Sequence, residues 1–264
     1  DAVAQLALGG KYEKGDGVPK DGTEAIKWYR KAAEQGLAPA QSNLGVMYDS
    51  GEGAPKDYVE AMKWFRKAAE QGNAPAQQAL AYMYYKGDGV PKDSIEAVKW
   101  YRKAAEQGNA KAQIGLGFIY SRGEGVPKNS VEAVKWYRIV AEQGDAFAQS
   151  ELGTIYYYGD GIAKDYAEAI KWYRRAAVQD DARAQGNLGG MYANGEGVPK
   201  DAIEGLAWSN IAAASGDELF VKNRDILERR VGPEATLAAQ QRSKEILKEI
   251  EAVKHAPAPT APKN

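Results

Sequence analysis

Residues 57–72 read Asp57-Tyr58-Val59-Glu60-Ala61-Met62-Lys63-Trp64-Phe65-Arg66-Lys67-Ala68-Ala69-Glu70-Gln71-Gly72. Asp57 is a residue type that caps a helix start, and Glu60 three positions later completes the spacing of a reciprocal capping box. Ala61, Trp64, Phe65, Ala68 and Ala69 then follow at i, i+3, i+4, i+7 and i+8, which places all five on the buried face of one amphipathic helix. Gly72 closes it. The stretch recurs: Trp28, Trp64, Trp100, Trp136, Trp172 and Trp208 stand 36 residues apart, and the cap pair returns as Asp21/Glu24, Asp93/Glu96, Asn129/Glu132, Asp165/Glu168 and Asp201/Glu204. A period of this length means one supersecondary unit, copied and stacked.

Working back from Asp57, a first helix carries Gln41, Leu44, Gly45 and Tyr48 on one face, with Gly45 letting a neighbour approach closely. The leucine returns as Leu8, Leu80, Leu116, Leu152 and Leu188, and the tyrosine as Tyr12, Tyr84, Tyr120, Tyr156 and Tyr192. Gly51-Glu52-Gly53 ends this helix because glycine accepts the left-handed conformation, and Pro55 cannot continue it. Each unit is therefore a helix, a glycine-rich loop and a second helix. Gly36, Gly72, Gly108, Gly144 and Gly216 close the units, whereas Asp180 stands in that place in the fifth, where the turn should be less comfortable.

These motifs, Ala-Gln, Leu-Gly-x-x-Tyr, Gly-[Asp/Glu]-Gly-Val-Pro-Lys-Asp and Glu-Ala-x-Lys-Trp-Tyr-x-x-Ala-Ala-Glu-Gln-Gly, resemble the Sel-one-like repeat (SLR) family, a relative of the tetratricopeptide repeat. The resemblance runs from about Ala2 to Gly216. It implies an all-α, right-handed superhelical solenoid of about six helix-turn-helix repeats whose first helices line a concave face. It also implies a non-enzymatic adaptor for protein partners in a bacterial envelope, secretion, signalling or host-interaction system.

The expected organisation is 1–216 as six helix pairs, 217–254 as C-terminal capping helices and 255–264 as a flexible tail. Leu219, Phe220, Ile226, Leu227 and Val231 mark one capping helix, and Pro233 opens another whose apolar positions include Leu237, Ile246, Leu247 and Ile250. Stacked repeats need terminal units with a polar outer face. The tail holds Pro257, Pro259 and Pro262.

Thirty-five basic and 36 acidic side chains leave a net charge of −1, so no global field recruits nucleic acid or an anionic membrane. The absence of cysteine excludes disulfides and thiol chemistry. No apolar run reaches membrane-spanning length. Asp1 lies almost at the start of the first repeat, and the expectation is a chain exported after loss of a signal peptide, with a cytoplasmic chain as the alternative.

No cofactor or metal is expected. Asp16, Glu52, Asp88, Glu124, Asp160 and Glu196 supply one carboxylate per glycine loop, spaced too widely for calcium, which gathers several oxygens at about 2.3–2.6 Å. Lys20, Lys56, Lys92, Lys128, Lys164 and Lys200 are each followed by Asp or Asn and read as solvated loop charges. Gln5, Gln41, Gln77, Gln113, Gln149 and Gln185 recur in every copy, and a role needed six times is packing or hydrogen bonding to main chain. His255 is the single histidine and lies in the expected tail, so no histidine relay or zinc site has a folded candidate. Some cysteine-rich SLR relatives are associated with β-lactam binding, but no Ser-x-x-Lys signature accompanies these repeats.

Specificity must lie where the copies differ. Opposite the packed face of the first helices stand positions 39, 42, 46, 49 and 50 and their equivalents. In the third to fifth copies these supply Gln78, Tyr82, Tyr85, Lys86, Lys111, Ile114, Phe118, Arg122, Phe147, Tyr157 and Tyr158. Aromatic rings with interspersed bases have the composition of an interface centre. The expected partner is a protein or peptide with an acidic segment or a carboxylate. Three alternatives stay open: Tyr85 and Tyr157 pack between repeats as core, the array reads nucleic acid through a basic stripe, or the chain is an enzyme such as a β-lactam-binding SLR relative.

Overall fold

The computed structural model describes residues 1–255, which contain fourteen α-helices and no strand. Six helix pairs follow one another: α1 (Ala2–Lys14) with α2 (Gly22–Glu34), α3 (Ala38–Ser50) with α4 (Tyr58–Glu70), α5 (Ala74–Lys86) with α6 (Ser94–Glu106), α7 (Ala110–Arg122) with α8 (Ser130–Glu142), α9 (Ala146–Tyr158) with α10 (Tyr166–Ala177), and α11 (Ala182–Asn194) with α12 (Ala202–Ala213). Two more, α13 (Glu218–Val231) and α14 (Pro233–His255), complete the described chain. This is an all-α solenoid. Its helices gather into two compact units, Asp1–Trp136 and Tyr137–Asn264.

In the first unit the pairs are held by rings on small residues. A Cβ built on Gly45 would lie 2.7 Å from the Phe65 ring, and one on Gly9 would lie 2.6 Å from the Tyr29 ring. The glycine thus admits the aromatic side chain of its own second helix, and burying such a ring contributes roughly 1.5–3 kcal/mol. Successive repeats are joined by polar groups. Gln41 Nε2 donates to the Ala33 carbonyl at 3.0 Å, and Gln77 and Gln113 do the same to Ala69 and Ala105. Gln41 Oε1 in turn accepts from Gln71 Nε2 at 2.7 Å. Arg30, Arg66 and Arg102 each donate to the tyrosine hydroxyl of the following first helix, Tyr48, Tyr84 and Tyr120. The recurring glutamine therefore has the main-chain role expected of it.

The second-helix starts differ from the expected capping box. Asp57 Oδ1 accepts from Val59 and Glu60 amides at 3.0 Å, but the reciprocal half is not made. The Asp57 amide already donates to the Tyr48 carbonyl at 2.9 Å, which anchors the loop to the first helix. Glu60 is thereby free to take Trp64 Nε1 at 3.2 Å and Lys63 at 2.9 Å. Glu132, Glu168 and Glu204 take their own tryptophans in the same way. Five tryptophans are buried to 8% exposure or less, while Trp28 is half-buried.

The second glycine makes a close contact in four loops, at Gly53, Gly89, Gly125 and Gly197, whereas a Cβ on Gly17 of the first loop would meet nothing within 4 Å. A Cβ on Gly53 would fall 2.1 Å from the Gly22 carbonyl carbon at the start of α2, and Thr23 Oγ1 donates to the Gly53 carbonyl at 3.1 Å. Lys20 pairs with Glu52 at 2.6 Å and Lys92 with Glu124 at 3.9 Å, so these loop charges bridge neighbouring repeats.

The second unit repeats the scheme, with Tyr173 on Gly153 and Gln149 and Gln185 on the Ala141 and Ala177 carbonyls. The turn after α10 holds Asp180 at φ 65°, the single non-glycine residue with positive φ among those described. Beyond Gly216 the pairing changes. α13 stacks on α12 as a further first helix would, but α14 leaves α13 and lies along α12 instead. It buries Ala239, Ser243, Ile246 and Ile250 there, in a core with Trp208 and Leu206. Leu237 and Leu247, expected among its apolar positions, face solvent because the stripe set by Ala239 and Ser243 excludes them. Ser243 Oγ donates to the Ala207 carbonyl at 3.1 Å, Arg242 Nε pairs with Glu204 at 2.8 Å, and Lys254 pairs with Asp180 at 2.5 Å. α14 includes His255, and the rest of the expected tail lies outside the described residues.

Candidate interaction face

On a helix, positions 39, 43, 46 and 50 fall at i, i+4, i+7 and i+11 and form one stripe, with 42 and 49 turned towards the packed sides. The structure follows that geometry. Tyr82, Phe147 and Tyr158 are 45%, 38% and 66% exposed, large values for rings. Lys86, Lys111 and Arg122 are exposed as well, whereas Gln78, Ile114, Phe118, Tyr85 and Tyr157 are half-buried. Ser42 and Ser150, at the same register as Gln78 and Ile114, are buried.

In the first unit the side chains form a basic aromatic patch. Tyr85 and Phe118 meet edge to face with centroids 6.3 Å apart. Lys86 Nζ lies 5.7 Å from the Tyr82 ring and 5.9 Å from Tyr85, and Arg122 lies 5.4 Å from Phe118. Cations over ring faces are attracted by the ring quadrupole. Tyr85 also donates its hydroxyl to Glu124 at 2.7 Å, linking α5 to the loop of the next repeat. Burial first, and then the Glu124 carboxylate, push the Tyr85 phenol up to about 12. Tyr85 combines a repeat-joining contact with membership of the patch.

In the second unit Tyr157 has the matching arrangement. Its hydroxyl donates to Glu196 at 3.1 Å, and burial with that carboxylate raises its phenol to about 12. Tyr157 meets Tyr158 edge to face at 5.0 Å and lies 5.5 Å from the Tyr166 ring at a tilt of 50°. Phe147 lies under the Arg183 guanidinium, 5.6 Å away, and edge to face with Tyr137 at 6.3 Å. Arg183 is not free: its Nη1 is 2.6 Å from Oε1 of Glu151, a carboxylate whose side chain is only 5% exposed. Glu151 did not emerge from the sequence, although a signal existed. Its register holds Ala7, Asn43, Ala79, Gly115 and Asn187 in the other copies, so an acid appears there once.

A cleft of about 870 Å³ lies elsewhere, between α13 and α14, bordered by Asp225, Arg229, Gly232, Thr236 and Leu237. Among the described residues no three of His, Cys, Asp and Glu are gathered as a metal site requires, and no helix is long and apolar enough to cross a membrane.

Comparison with known proteins accounts for the six-fold pattern. The Sel1 repeat model matches residues 2–37, 38–73, 74–109, 110–145, 146–181 and 182–217. A solved structure of a protective antigen of uropathogenic Escherichia coli strains, displaying an SLR fold, is 36% identical with a TM-score of 0.82. That match covers 97% of this chain and 58% of the antigen, so this chain spans less than two thirds of that relative. A Sel1 repeat protein from Oxalobacter formigenes is 42% identical with a TM-score of 0.68, over 81% of this chain and 88% of its own. Among curated proteins nothing matches.

Proposed function

This chain belongs to the Sel1 repeat family, whose members are generally protein-interaction scaffolds, and on that premise we propose that it is a non-enzymatic adaptor. The first-helix stripe of each unit holds a protein or peptide partner. Repeat positions that pack are nearly invariant among the six copies, so a partner-specific surface must use positions that vary. The observation that carries the reading is the exposure of Tyr82, Phe147 and Tyr158 at such positions, with bases interspersed. Large rings held in place by packing present contact area at small entropic cost, which suits an interface centre. A bacterial envelope or host-interaction setting for that partner belongs to the same proposal.

Affinity capture tests it. The wild-type chain and a Tyr82→Ala, Phe118→Ala, Tyr158→Ala variant are used as baits on an extract of the native organism, with circular dichroism as a check of helical content. The variant should lose the captured partner while keeping its helices; equal capture by both baits rejects the face.

A further inference from the structure

We infer that the first unit carries a carboxylate-binding position at Lys111, whose ligand is an acidic side chain of a partner polypeptide. The inference rests on the adaptor reading and specifies the partner's chemistry. Its basis is a comparison of one place in two repeat pairs. In the second unit, Arg183 opens α11 at register 39, and Glu151 of the preceding first helix reaches it at 2.6 Å. In the first unit, Lys111 opens α7 at the same register, and the residue in the place of Glu151 is Ala79. The cation is retained and its internal carboxylate is missing. Lys111 is exposed and, among the described residues, has no carboxylate within ion-pairing distance. Glu151 therefore displays, within the molecule, the contact that a partner's Asp or Glu would make with Lys111.

The same surface fixes a second anchor. Arg122 ends α7, eleven residues after Lys111, a separation of about 16 Å along the helix. With Lys86 it clamps the Tyr85–Phe118 ring pair, and neither cation has an ion-pair partner among the described residues. An extended chain covers about 16 Å in about five residues. The partner segment thus carries two carboxylates about five residues apart, with apolar side chains between them for Tyr82 and Phe118. Glu124 does not compete, because Tyr85 and Lys92 occupy it.

The test uses the full chain and a fluorescent peptide with blocked ends, Gly-Asp-Ala-Leu-Phe-Ala-Asp-Gly, beside its Asn-for-Asp counterpart. Anisotropy should show saturable binding of the acidic peptide, weakened by salt, and at least tenfold weaker binding of the amide form. Ala79→Glu supplies the missing internal carboxylate and should weaken the acidic peptide about tenfold or more; Ala79→Gln, of equal size, should not, and circular dichroism checks that both fold. Lys111→Met should reproduce the loss. Absence of binding, equal affinity of the two Ala79 variants, or displacement by a single-stranded oligonucleotide in preference to the acidic peptide overturns the inference. If capture of the natural partner requires the rings but ignores Ala79→Glu, the adaptor reading stands and the carboxylate position falls.

Discussion

The side-chain amide of Gln77 donates to the main-chain carbonyl of Ala69 at 3.1 Å, fixing the first helix of one repeat to the second helix of the repeat before it. Its own oxygen accepts from Gln107 at 2.7 Å, so a single buried amide joins three helices. Gln77→Leu keeps the volume and removes both bonds, leaving a buried carbonyl without a partner. The expected loss is about 1–3 kcal/mol in urea unfolding. A change below about 0.5 kcal/mol would mean that water or a neighbouring donor takes the carbonyl.

Gly53 and Gly72 both have positive φ, 80° and 87°, but their surroundings differ. A Cβ on Gly72 meets nothing within 4 Å, whereas one on Gly53 strikes the Gly22 backbone at 2.1 Å. Gly72→Ala should cost only the left-handed backbone term, about 1–2 kcal/mol. Gly53→Ala adds displacement of the neighbouring repeat and should cost clearly more. Equal midpoints in urea would show that the loop moves freely.

The repeat, its two helices and their caps were legible because each copy restates the same local rules. Trp64 and Phe65 mark the buried stripe, and Gly51 marks the turn. What could not be read were choices between satisfied alternatives. Glu60 has the spacing of a capping box, yet the Asp57 amide is already engaged by Tyr48, a contact visible only once the loop closes. α14 has a helical pattern but no signal that it would cover Trp208 instead of pairing with α13. On the candidate face, variation among copies singles out Tyr82 and Tyr158, while Glu151 stands at register 43, beside the variable position 42. Its importance comes from a residue 32 positions later, Arg183.

Tyr85 separates two causes of a raised phenol. Its value of about 12 lies above the ordinary 10, chiefly through burial and secondarily through Glu124. The protonated phenol is favoured in the folded chain, so this stabilisation is present below pH 10 and lost as pH rises through about 10 to 12. Tyr157 titrates in the same window. Glu124→Gln should lower the Tyr85 titration, followed by phenolate absorbance, only part of the way. A full return to 10 would make the carboxylate, and not burial, the dominant cause.

Asp180 sits where glycine closes the other repeats, at φ 65°, and its carboxylate pairs with Lys254 of α14 at 2.5 Å. Two terms oppose each other. A left-handed conformation costs an L-residue about 1–2 kcal/mol, less for Asp than for most, while an exposed ion pair contributes about 0–1 kcal/mol. Asp180→Gly should therefore stabilise the chain slightly in low salt. Raising the salt screens the ion pair and should enlarge that gain towards the full backbone term. In a Lys254→Met background the gain should no longer depend on salt. If Asp180→Gly instead destabilises at every ionic strength, the carboxylate holds α14 against α10 and α12 more firmly than an exposed pair ordinarily would, and the strained aspartate is then a structural latch for the C-terminal helix.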